Sequence, residues 1–149
     1  MTSDTTDDGA PTDRIWASQW YRVTPRSFEH IELFFDPDRV IYAFAGESYK
    51  SFLLRQDGRE QRAQELGAEY RDLVADRILA DERHEATSVS DLREIQLAGG
   101  SFIRKPKLVL KTDEQERSFY HHSKSHDVEP LATKLETLYP SVPVVVNGD

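Results

Sequence analysis

The chain has 149 residues, 27 acidic side chains against 19 Lys and Arg, a formal net charge of −8 and no cysteine. That length is enough for one domain with a real core. The missing cysteine excludes disulfides, thiolate metal sites and a cysteine nucleophile, and the acidic balance disfavours a general nucleic-acid binder, which carries a basic excess or stripe.

Residues 1–13, MTSDTTDDGAPTD, set Asp4, Asp7, Asp8 and Asp13 among small polar residues and offer a core only Met1 and Ala10. Such a segment predicts a disordered acidic tail, followed by a single α+β domain over 14–140 and a short C-terminal extension over 141–149. The start has no basic stretch or apolar run, and no run of about 18 apolar residues follows. A soluble, cytoplasmic protein is therefore expected.

Ile15, Trp16, Trp20, Tyr21 and Val23 arrive together before Pro25. They predict an N-terminal arm or short helix packed on the core, an aromatic anchor for a partner being the functional alternative. HIELFF and VIYAFAG then flank Asp36-Pro37-Asp38-Arg39, a hairpin whose Pro37 presets the turn and whose second strand ends at Gly46. Tyr49, Phe52 and Leu53 have helical spacing, which predicts a helix to about Gln56, before Asp57-Gly58 breaks it. A longer amphipathic helix is expected from Arg59 to Ala80, with Ala63, Leu66, Tyr70, Leu73, Val74 and Ile78 on one face. Its polar face is acidic, which argues for packing over binding to an anionic membrane. DERHEA then reads as a charged connector.

The stretch from Thr87 to Tyr139 is the most legible. VSDLREIQL, FIRKPKLVLK and ERSFYHH read as three strands of an antiparallel meander, turning at Gly99-Gly100 and at Thr112–Glu116. Alternation along the second strand places Phe102, Leu108 and Leu110 on an apolar face and Lys105, Lys107, Val109 and Lys111 on the other. Pro106 lacks a donor for a sheet ladder, so this strand is expected at an edge or with a bulge. The stripe Val128, Leu131, Leu135 and Leu138 predicts a closing helix, with Pro130 in its first turn, Ser125 or Asp127 as cap, and Pro140 as its stop. SVPVVV beyond it is either a short edge strand or a trailing segment.

The run SVSDLREIQL, with Leu92, Ile95 and Leu97 spaced as in a D-I-x-x-I-x-L pattern, resembles the middle of a bacterial or archaeal pleckstrin-homology-like domain of the PH or GRAM type. LVLKTDEQERSFYHH resembles the next hairpin of such a domain, and the helix ending in LYP its C-terminal cap. The resemblance, over about residues 87–139, implies a strand-rich binding domain with several strands ahead of this point. Two candidate strands precede it here. Some members bind phosphoinositides through a basic first hairpin loop; Asp36-Pro37-Asp38-Arg39 is acidic, so that specificity is not implied.

His121, His122 and His126 lie close together beside Asp127. On a strand the first two point to opposite faces, and without a recognised ligand motif a pH-sensitive loop is the stronger reading than a metal site. Arg104, Lys105, Lys107 and Lys111, extended by Lys124, form the one basic run. It reads either as lysines guarding a strand edge or as an anion-recognition patch to which Phe119 and Tyr120 add aromatic contact. No nucleophile elbow, phosphate loop, zinc-binding helix motif or dinucleotide fingerprint is present. The sequence thus points to a non-catalytic binding module without cofactor or metal, engaging a protein partner or an anionic lipid surface through a sheet edge and a basic strand face. The alternatives are a self-associating structural protein and a small pocket-bearing enzyme or ligand carrier.

Overall fold

The computed structural model describes residues 10–49 and 59–147. Most of the expected acidic tail, and the helix expected around Phe52 and Leu53, lie outside the described residues; Tyr49 is the last residue of a strand. The fold class is α+β. Strands β1 (Ile15–Val23), β2 (Ser27–Phe35), β3 (Arg39–Tyr49) and β4 (Glu85–Ser88) precede β5 (Leu92–Ala98), β6 (Lys107–Thr112) and β7 (Glu116–His121). The helices are α1 (Arg59–Tyr70), α2 (Ala75–Ile78) and α3 (Glu129–Leu138), and β8 (Val144–Asn147) follows the last. One sheet holds the eight strands of the described residues in the order β4-β3-β2-β1-β7-β6-β5-β8, antiparallel except where β8 runs parallel to β5. Among the described residues no helix is long and apolar enough to cross a membrane.

The sheet curls so that strands far apart in its order meet. Tyr42 of β3 stacks on Phe119 of β7 at 5.6 Å between ring centroids, and Arg117 of β7 reaches Glu85 of β4 at 2.7 Å. The enclosed core joins Trp20, Ile31, Leu33 and Val40 to Ile95, Leu97, Leu108, Leu110 and Phe119. From α3, Leu131 and Leu135 enter the same core with Val128, the residue before it, and Tyr139, the residue after. Each such side chain, fully buried, contributes about 1.5–3 kcal/mol. A second cluster lies on the outer face of β2 and β3, where Phe34, Ile41 and Ala43 receive Ala75 and Ile78 of α2. Strand β2 is therefore covered on both faces, which is why its last six residues are all buried.

Three expectations are corrected. The aromatic cluster of residues 15–23 is neither an arm nor a helix but β1, the strand joining the two halves of the sheet. Its period-two pattern is interrupted by a bulge between Ala17 and Trp20, where Gln19 takes a left-handed φ of 70°. The single helix expected over 59–80 is two, because Arg14 intercepts the chain at its middle. Its guanidinium donates to the carbonyls of Arg71 at 2.8 Å and Leu73 at 2.6 Å, and carbonyls so engaged are withdrawn from the helical ladder. The strand expected from Phe102 starts only at Lys107 and is no edge, lying between β5 and β7. Pro106 stands just outside it, where no N–H is needed, and its carbonyl accepts the His121 N–H at 3.0 Å. Of the two readings of SVPVVV, the edge strand forms, so residues 144–147 belong to the sheet.

Candidate functional site

The five basic residues singled out from the sequence do not share one face of a strand. Lys111, near the far end of β6, lies 3.9 Å from Glu94 and 3.8 Å from Glu116, so carboxylates flank it. Lys107 is four residues away, roughly 13 Å along a strand, with its ammonium over the Tyr120 ring at 5.7 Å. Lys105 lies in the same way over Tyr21 at 5.3 Å. Such cation–π contacts hold the two ammonium groups against the outer aromatic side chains. Arg104 is exposed on the loop 99–106, and Lys124 donates across to the carbonyl of Phe102 at 3.3 Å. Arg104, Lys105, Lys107 and Lys124 thus gather where the loops 99–106 and 122–128 meet, and Lys111 is apart.

These loops are locked together by a glycine. A Cβ on Gly100 would lie 2.1 Å from the Lys124 carbonyl oxygen and 2.8 Å from Pro106 Cδ, so only a residue without a side chain permits the approach. Beyond it the chain makes a compact turn. Ser101 N–H donates to the Arg104 carbonyl at 2.8 Å, and Ser101 Oγ accepts the N–H groups of Ile103 at 3.3 Å and Arg104 at 3.2 Å. At its tip Phe102 is 94% and Ile103 77% exposed. The sequence assigned Phe102 to the buried face; the turn turns it outward.

The histidines divide as strand alternation requires. His121 points inward, edge-on to Trp20 at 5.1 Å and stacked on His126 at 3.7 Å. Burial, with the two neighbouring imidazoles, lowers its pKa to about 4. His122 points outward, with Nε2 3.1 Å from Nδ1 of His30, whose Nε2 in turn meets Ser48 Oγ at 2.8 Å. Burial first, then the charges of His30 and Lys105, lower His122 to about 4 as well. Burial also lowers His126. Among the described residues no group of three or more His, Cys, Asp or Glu is placed to hold a metal ion.

No family model matches this chain, and no curated protein is significantly similar to it. The reading of its role therefore rests on its own geometry.

One polar site had no signal in the sequence. Glu32 alternates with apolar neighbours on β2 and is fully buried beneath α1. Its carboxylate accepts Trp16 Nε1–H at 2.7 Å and the Gln19 N–H of the β1 bulge at 3.1 Å. Burial raises its pKa to about 6 against the opposing pull of those donors. The site fastens the bulge, the sheet and α1 to one another. Two surface clefts, one lined by Thr87, Arg93, Asp113 and Arg117 and another by Gly100, Lys124, His126 and Asp127, mix charges of both signs and hold no convergent set of one sign.

Proposed function

We propose that this protein is a non-catalytic binding module of PH-like form that engages an anionic partner through the end of the sheet where the loops 99–106 and 122–128 meet. The observation that carries it is the gathering there of Arg104, Lys105, Lys107 and Lys124 on a chain whose net charge is −8. Most described cations elsewhere face carboxylates, as Arg22 does Glu29, Arg93 does Asp113 and Arg117 does Glu85. Arg104, Lys107 and Lys124 have no ion pair among the described residues, and the others so placed, Arg26, Arg62, Arg77 and Lys134, sit singly on separate elements. The PH-like reading is supported by the meander β5-β6-β7 closed by α3, and by four strands ahead of Leu92 where the sequence offered two.

The test is charge reversal at the exposed positions. In Arg104→Glu/Lys124→Glu, retention on an immobilised polyglutamate or anionic-lipid surface should fall by about tenfold or more, given the effect of each basic residue at such a surface. The far-ultraviolet and near-ultraviolet circular dichroism should stay unchanged. Undiminished retention by the folded variant would remove these residues from the site.

A further inference from the structure

An apolar prominence adjoins the cations of this site: Arg104 follows it in the chain, and Lys124 donates to the carbonyl of its Phe102. Phe102 and Ile103 are the most exposed large hydrophobic side chains described; the next, Val23 at 50% and Val145 at 37%, lie on β1 and β8. Two large apolar side chains held outward cost solvation in water unless something covers them. The prominence is also held in shape, because the Ser101 turn, Gly100 and the Lys124 contact fix it from three sides.

We infer that this tip is a bilayer-docking wedge: Phe102 and Ile103 enter the headgroup–acyl boundary of an anionic membrane while Arg104, Lys105, Lys107 and Lys124 meet the lipid phosphates and carboxylates. The inference rests on the anionic-partner reading above and names the partner. Three features favour a bilayer over a protein. First, a protruding tip of two residues is a small fraction of the roughly 800 Å² per partner that a stable protein interface covers, whereas an interfacial segment needs only about 5–10 Å of depth. Second, much of the tip's backbone is already engaged: the N–H groups of Ser101, Ile103 and Arg104 and the carbonyls of Phe102 and Arg104 have partners within the protein, which lowers the cost of entering the interfacial region, where headgroups and water serve the remaining groups. Third, apolar insertion and a basic patch together supply the two signals that stable membrane attachment takes. Asp127 and Glu129 line the same cleft as Lys124; together with the net charge they make the attachment orientation-specific and sensitive to salt.

The experiment is co-sedimentation of the full chain with phosphatidylcholine vesicles, with and without phosphatidylserine, alongside binding to immobilised polyglutamate as a soluble anion. The natural chain should pellet with the phosphatidylserine vesicles and not with phosphatidylcholine alone. Phe102→Ser/Ile103→Ser should lower partitioning about tenfold or more, as loss of two buried apolar side chains requires, while keeping its polyglutamate binding. Because the chain has no cysteine, Ile103→Cys takes an environment-sensitive thiol dye at one place, and its emission should shift to the blue on the same vesicles. Pelleting that the serine variant leaves unchanged, or a dye that stays in water, overturns the wedge. Polyglutamate binding without any pelleting also overturns it and leaves the anionic-partner reading standing; binding to neither probe overturns both.

Discussion

Arg14 carries more of this fold than its place beside the acidic N-terminal segment suggests. Its guanidinium makes a fork to Asp36, Nε to Oδ1 at 2.6 Å and Nη2 to Oδ2 at 2.9 Å, with both side chains buried. The same group holds the carbonyls that follow α1, and the Asp36 carbonyl accepts Tyr139 O–H at 2.6 Å. One residue thus ties the start of β1, the end of β2 and the exit of α1, next to the point where the chain leaves α3. Removing one partner of a buried pair strands the other charge, so Arg14→Ala should cost about 3–5 kcal/mol. Urea unfolding measures this directly. A loss below about 1 kcal/mol, the range of an exposed pair, would mean that Asp36 is resolvated and that the clamp is incidental.

At the scale of elements, α1 sits on the sheet through a glycine. A Cβ on Gly67 would lie 2.2 Å from Glu32 Oε1, 2.8 Å from its Cδ and 2.9 Å from its Cγ. A free glutamate would swing aside, but this one is held by Trp16 and Gln19, so the helix must lift. Gly67→Ala gains about 1 kcal/mol in helix propensity and should nonetheless destabilise the protein, because overpacking costs about 1–3 kcal/mol and the displaced carboxylate loses buried hydrogen bonds. A higher thermal midpoint in the variant would refute the pinned geometry. The elements legible in the sequence were those whose pattern a single period describes: the hairpin around Pro37, the alternation of Ile95 and Leu97 in β5, and the stripe of α3. Strand β1 was hidden because its bulge shifts the parity between Trp16 and Trp20, and β4 because four residues, one of them buried, carry almost no pattern. The break between α1 and α2 is imposed by a residue 57 to 59 positions away, and no local signal marks it. In the candidate site the residue types were legible and their grouping was not. Ser101 and Gly100 bend the chain out of the strand before Lys107, and that bend decides both where Phe102 points and which cations stand together.

For the whole molecule, the curl of the sheet leaves two openings, and the way they are closed sets the response to pH. The helix α3 covers one, placing Tyr139 against Phe35; charged side chains Arg22, Glu29, Glu85 and Arg117 line the other. At the first opening the rings of His121 and His126 stack, with those of His122 and His30 just outside. A histidine lowered from 6.5 to about 4 in the folded state leaves stability intact above pH 6.5. Below that value the unfolded chain takes up protons that the fold refuses, and stability is lost progressively as pH falls through about 4. His84, lowered by its own burial, acts in the same direction. Glu32 acts in the opposite one: raised from 4.5 to about 6, it favours the fold below pH 4.5 and that contribution, about 2 kcal/mol from its shift, is lost as pH rises through about 6. Several imidazoles stand against one carboxylate, so the urea midpoint should fall between pH about 7 and about 4.5. Replacing His121 and His122 by Gln should flatten that slope even though it removes packing, and a profile that stays as steep in the double variant would place the acid sensitivity elsewhere in the molecule.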